Sequence, residues 1–241
     1  MEHTLLELTT IADPITQTTS VTAQVYDRAR ADILTGVLEP GQKLKIDELR
    51  QVYGSGSSPI REALSLLTSD GLVERVDQRG FRVALVSAEA FDELLTTRCW
   101  LEERALTESI ERGGKDWEER VVLAEYHLSR TERSISKNAF VANQDWERRH
   151  KDFHMALISA SGSSILLNFC NQLYDQKVRY RHVAGKVAYP KRNITKEHQA
   201  IMQAALDRDA EGAVAGLVKH YRATGAFLAK GLASSAANVS T

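Results

Sequence analysis

Along this chain apolar residues recur at helical spacing almost throughout, and at strand spacing in one short stretch. Ser20-Val21-Thr22 opens the first helical stripe, in which Val25, Ala29, Ile33 and Leu34 face one way until Gly36. Leu38-Glu39-Pro40-Gly41 reads as a turn, and a second helix is predicted over Ile46 to Tyr53, stopped by Gly54-Ser55-Gly56. A third starts with Ser58 as N-cap and Pro59 at the first helical position, where the missing N–H costs nothing. Leu64, Leu67 and Leu72 carry its buried face past Gly71. Two apolar-rich strands follow, Leu72–Val76 and Phe81–Val86, joined by a hairpin over residues 77–80. Helix, helix, short turn, helix and hairpin is the order of a winged helix-turn-helix, whose second paired helix enters the major groove of DNA.

The pattern changes near Ser87. Pro14, Pro40 and Pro59 precede it, as does every strand-like segment; beyond it only Pro190 interrupts six long helical patterns and one short one. The first stripe, Phe91 to Leu106, closes at Gly113-Gly114. Those after it run from Trp117 to Ile135, Trp146 to Ile158, Ser163 to Val183, Asn193 to Leu206 and Asp209 to Leu228. The predicted fold class is mostly α. A winged helix-turn-helix with a small β-hairpin occupies 20–86 and an all-helical bundle 87–230, with flexible tails at 1–19 and 231–241.

Composition narrows the function classes. The 241 residues hold 31 Lys+Arg against 32 Asp+Glu and are 43% hydrophobic, which excludes wholesale disorder. No apolar run reaches the roughly 18–20 residues of a membrane span, and the N-terminus lacks the order of a signal peptide. Cys99 and Cys170 lie far apart in apolar helical stretches, which suits a reducing cytoplasm. Residues 20–86 carry nine Lys/Arg and nine Asp/Glu, so overall charge does not advertise a nucleic-acid partner.

Ordered motifs outweigh that balance. Leu38-Glu39-Pro40-Gly41, Ser58-Pro59-Ile60-Arg61-Glu62-Ala63-Leu64, Asp70-Gly71-Leu72-Val73 and Gly80-Phe81-Arg82-Val83 resemble the GntR family of bacterial transcription regulators, in the right order over about 65 residues. The resemblance implies a homodimer whose recognition helices read a short palindromic operator while its wings approach the minor groove. Ser57, Ser58 and the first N–H groups of their helix suit phosphate, and Arg61 on the first turn can reach guanine or phosphate. Arg79, Gly80 and Arg82 mark the wing, and Lys45 completes the DNA-binding set. The chain departs from the family where Ser57 and Asp47 occupy positions at which members carry DNA-contacting arginines, so the operator of a relative does not transfer.

Four of the seven histidines group. His150 and His154 form an i, i+4 pair, while His198 and His220 fall on two later helices. Imidazoles from three helices can build a metal site, and single helical histidines are also ordinary surface or core residues. Arg98-Cys99-Trp100-Leu101-Glu102 resembles the R-x-x-L-E opening of the FCD effector domain found in FadR-type GntR regulators, and His150-Lys151-Asp152-Phe153-His154 is similar to its D-x-x-F-H segment. The resemblance spans about residues 20–230 and implies that His154, His198 and His220 bind a divalent metal, often zinc or nickel. His150 stands where many members have Asp or Asn. A four-nitrogen site would favour zinc, nickel or copper over magnesium and calcium; otherwise His150 leaves the shell to water or effector.

In such domains a small carboxylate effector binds beside the metal with an arginine partner. Arg98 is the candidate, its alternative being a salt bridge to Glu102 at i+4. The polar stretch Leu173 to Arg181 either lines the pocket, with Tyr180 as a contact, or is a solvated face. The chain resembles CsiR-type members, which implies a short dicarboxylate such as glutarate. Acyl-CoA is disfavoured because a metal would occupy the bundle centre. A hydrolytic enzyme would need a general base near the metal; Glu197 is expected to point elsewhere and no H-E-x-x-H occurs, so a non-enzymatic regulator is expected.

Overall fold

The computed structural model describes residues 20–77, 79–136, 141–185 and 192–239. The tail expected over 1–19 lies outside them, as does Gln78 in the hairpin turn. The N-terminal unit has α1 (Val21–Leu34), β1 (Lys43–Leu44), α2 (Ile46–Tyr53), α3 (Ser57–Ser69), β2 (Val73–Val76) and β3 (Gly80–Val83). Ser20 caps α1 by accepting from the N–H of Ala23. Ile33, Leu49, Ile60, Leu64, Leu67 and Val83 are among the side chains of its single core.

Two details differ from expectation. Gly56, not Ser58, is the N-cap of α3, so Pro59 falls on the third helical position. The first-turn N–H groups lack intrahelical partners, so proline is equally tolerated there. The sheet also gains a strand: β1 pairs antiparallel with β3, giving the order β1-β3-β2. Two residues are too short for periodicity to show.

The C-terminal unit is all-helical among the described residues: α4 (Ala88–Arg112), α5 (Lys115–Ser129), α6 (Gln144–Ile158), α7 (Ser164–Gly185), α8 (Ile194–Leu206) and α9 (Ala210–Val239). Cys170, Phe153, Leu157, Ile158, Val121 and Leu217 lie at its centre. Helix α5 stops at Ser129 rather than Ile135; Leu128 is its last buried side chain, and Ile135 is exposed. Conversely α9 runs on to Val239 where a tail is expected from Gly231. Leu228 and Leu232 pack with Phe91 and Leu94, and the alanines beyond them favour helix. None of the described helices is long and apolar enough to cross a membrane.

Helix α7 joins the two units. Arg179 donates to the backbone carbonyls of Gly71 (3.2 Å) and Ala84, and Gln176 donates to that of Asp70 (3.0 Å). Gly71 ends α3 at φ +69°, and a Cβ there would come within 2.9 Å of the Gln176 amide. Asp175 accepts from Arg30 of α1 and from Lys151 of α6, the latter at 2.6 Å.

Candidate DNA-binding surface and metal centre

The two sets of polar residues sit in opposite surroundings. In the N-terminal unit, Ser58 and Arg61 are exposed on the first turns of α3, with Ser57 half-buried at its start. Arg79 and Gly80 are exposed at the hairpin, where Gly80 has φ +89° and open space around it. No carboxylate among the described residues pairs with Arg61 or Arg79. Lys45, at the N-cap of α2, pairs with Glu48 at 2.6 Å with both side chains mostly exposed, a contact that phosphate can replace. Arg82 is held differently. It lies opposite Glu74 across β2–β3 and bonds it at 2.6 Å, which makes it the most restrained of the expected DNA contacts.

In the bundle, His150 and His154 of α6, His198 of α8 and His220 of α9 are all buried, and their four ligand nitrogens lie within 4.8 Å of one another. Three of the four rings are oriented by an oxygen at Nδ1. His150 Nδ1 meets the Tyr174 hydroxyl at 2.5 Å, His154 Nδ1 meets that of Tyr221 at 2.9 Å, and His220 Nδ1 meets Glu197 Oε2 at 2.8 Å. An Nδ1–H donated to these oxygens leaves Nε2 as a lone-pair donor aimed at the centre, where the Nε2 atoms of His150 and His154 are 3.2 Å apart. The fourth ring has a buried Nε2 with no hydrogen-bond partner. Orphaned buried nitrogens are rare in native proteins. Burial first, then neighbouring imidazoles or Lys177, pushes all four histidines well below their ordinary pKa, so the rings are neutral as metal ligation requires.

Behind the rings runs a polarised chain. Arg98 donates Nε and Nη2 to Glu102 Oε1, Tyr221 donates its hydroxyl to Glu102 Oε2, and Tyr221 accepts from His154. Arg181 pairs with Glu147, and Arg192 holds Glu197 against His220. Beside the centre a cavity of about 560 Å³ reaches His198 past Trp146, Arg133, Arg192 and Thr195.

Comparison with known proteins agrees with both halves. Residues 21–83 match the model of the bacterial regulatory proteins of the gntR family, and residues 93–223 match the FCD domain. The chain belongs to the GntR family of FCD-domain regulators. It is 40% identical over 199 residues to the HTH-type transcriptional regulator BphR of Paraburkholderia xenovorans, covering 82% of this chain and 81% of that one. It is 31% identical over 188 residues to the HTH-type transcriptional repressor GlaR of Escherichia coli, covering 76% and 84%. Its fold resembles E. coli McbR/YncC, with TM-score 0.72 and 22% identity over 87% of this chain and 97% of that one. A GntR regulator of Rhodococcus sp. RHA1 gives 0.70 and 22% over 87% and 98%. These families and relatives are transcriptional regulators rather than enzymes.

Within the FCD domain the expected histidines converge, Arg98 lies near them but is held by Glu102, and Tyr180 lies apart. Arg98 is committed to Glu102, the alternative that its i+4 spacing left open, and its guanidinium lies over the rings of Tyr221 (4.3 Å) and Tyr174 (5.2 Å). Tyr180 packs on Phe91 with ring centroids 4.8 Å apart, in an apolar cluster with Leu228 and Leu232. On α7 the tyrosine facing the histidines is Tyr174. Six residues, about 1.7 helical turns, separate it from Tyr180 and put the two on different faces. The stretch around it is no solvated face: Tyr174, Asp175, Lys177, Arg179 and Arg181 are all buried, packed between the histidines and the GntR domain. Glu197 also departs from expectation. It does diverge from its neighbour His198, but only to meet His220 of another helix, a pairing that spacing along one helix cannot show. Cys170 is buried and free, its thiol pushed up to about 12 by burial.

Proposed function

We propose that this regulator binds a palindromic operator as a homodimeric repressor in the cytoplasm, and that a small carboxylate bound beside a divalent metal controls that binding. The observation that carries the reading is the set of four buried, neutral imidazoles, three of them turned inward by outer hydrogen bonds and one with an orphaned Nε2. Such a donor set fits zinc or nickel and suits magnesium or calcium poorly. The metal would be held by His150, His154, His198 and His220, and would supply a Lewis-acidic position for a carboxylate oxygen. Tyr174, Tyr221 and Glu197 orient the ligands, and the cavity at His198 offers an approach from solvent.

Operator contacts fall to Ser57, Ser58 and Arg61 on the recognition helix, to Arg79, Gly80 and Arg82 at the wing, and to Lys45. The exposed Trp100, Ile165 and Phe169 of α4 and α7 supply apolar surface for the second protomer. Communication between the sites runs through α6 and α7. Lys151 follows the ligand His150 and shares Asp175 with Arg30 of the GntR domain, so a shift of α6 or α7 reaches the reading head through charged contacts. Two heads about 34–36 Å apart on one DNA face lose simultaneous docking after a small rotation.

A second reading has one observation in its favour. Four imidazoles close a tetrahedral site, leaving no position for an effector on zinc, so that the metal itself would be the signal. Both readings meet in one experiment, using operator DNA selected by the protein from a random pool. Metal-loaded protein should lose at least about 10-fold in affinity when the right carboxylate is added, within the usual range of allosteric coupling. Sensitivity to chelation alone would favour the metal as signal. Affinity indifferent to carboxylates and to chelation would overturn both.

A further inference from the structure

Carboxylates hold most of the cations described around the histidines. Arg98 has Glu102, Arg181 has Glu147, Arg192 has Glu197, and Lys151 with Arg30 has Asp175. Lys177 is only 5% exposed, yet among the described residues it has neither an ion pair nor a hydrogen bond. Its ammonium lies 4.6 Å from the centre of the Tyr174 ring, whose hydroxyl binds His150. Nearby carboxylates are already engaged: Glu102 by Arg98 and Tyr221, Glu147 by Arg181. Tyr174 thus stands between Lys177 and His150, and Lys177 is among the groups that hold all four imidazoles below their ordinary pKa. Burial first, then Arg181 and Arg98, push Lys177 well below its ordinary pKa, and Glu147 and Glu102 offset them only in part, so the buried amine is best charged where a ligand supplies a further anion.

The donor set points the same way. Four neutral imidazoles bring no negative charge to a divalent ion, so metal and ammonium together call for more anion than one carboxylate carries. We propose that Lys177, rather than Arg98, is the second anchor of the effector and selects a small dicarboxylate, with one carboxylate at the metal and the other at the ammonium. The inference rests on the effector reading above and adds to it the residue and the ligand charge.

The test is calorimetric titration of full-length protein, loaded with zinc or nickel, with dicarboxylates of three to six carbons and monocarboxylates of matching length. Wild-type protein should prefer at least one dicarboxylate by about 10-fold or more, the size of a charge-assisted contact. Lys177→Met should bring that dicarboxylate down to its monocarboxylate counterpart while keeping full metal content. Without ligand it should melt no lower than wild type, since a buried polar group that makes no hydrogen bond among the described residues is removed. Lys177→Gln repeats the test with a polar side chain of similar reach.

Undiminished dicarboxylate binding in both variants would overturn the assignment of Lys177 and leave the effector reading standing. Equal losses for mono- and dicarboxylates would also overturn it, placing the lysine on the metal-bound carboxylate instead. A metal-loaded wild type that binds neither series would overturn the effector reading itself, and this inference with it.

Discussion

The DNA-facing surface and the histidine centre use similar side chains in opposite ways. Arg61 and Arg79 are exposed and paired to no carboxylate among the described residues, so their energy is realised when a phosphate or base edge arrives. The buried Arg98 and Arg181 are tied to Glu102 and Glu147 and act on one another's neighbours through Tyr221 and Tyr174. A change at the surface should therefore touch one function and little else. A change at the centre should propagate, because the orientation of three of the four rings depends on an oxygen that another residue holds.

The largest expected effect comes from removing a ligand. His154→Ala should weaken metal binding by more than the roughly 10–100-fold typical of losing an outer-shell partner. Metal content and melting temperature should fall together while operator binding by the effector-free protein survives. Metal retained at full stoichiometry, read by mass spectrometry, would break the contrast.

Next comes acidity. Burial lowers the folded-state pKa of all four imidazoles below the unfolded value of about 6.5. Above that pH both states carry neutral rings and nothing is lost. Below it the unfolded chain takes up protons that the folded centre refuses. Metal-stripped protein should then lose up to about 1.4 kcal/mol per pH unit for each ring, until the folded-state values are reached. Denaturation midpoints between pH 7.5 and 5, with and without chelator, would show a flat profile if the rings were in fact solvated.

On the surface, Arg61→Ala should cost about 1–3 kcal/mol of operator affinity, while metal content and melting temperature stay unchanged. Gel-shift titration at two salt concentrations checks this, and coupled loss of metal would show that the surface is not independent. The smallest effect is expected from Tyr221→Phe, which keeps the ring but deprives His154 Nδ1 and Glu102 of the hydroxyl. Metal affinity should fall about 10-fold, the low end for an outer-shell loss, with operator binding intact. An unchanged metal affinity would mean that packing alone aims His154.

How much of this the sequence disclosed follows from where the information lies. Local rules predicted the α2 boundaries and the hairpin, because Gly54 and Gly80 act on their own neighbourhood. The i, i+4 spacing of His150 and His154 exposed half of the centre, and family resemblance brought in His198 and His220. Glu197, Tyr174 and Tyr221 were beyond reach because each serves a histidine on a different helix, and the pairing exists only once α6 to α9 have packed. Arg98 had two open readings, and the proximity of Glu102 decided between them. Lys177 carries no local signature; its lack of an ion pair or hydrogen bond among the described residues shows only once the helices have packed.

The account turns on whether the four imidazoles hold a metal. Mass spectrometry of the purified protein under native conditions, before and after chelation and with zinc or nickel restored, measures this directly. The account predicts one ion per chain, lost together with thermal stability on chelation and regained together on reloading. A chain that purifies without metal, and whose melting temperature ignores both added ions, would contradict it.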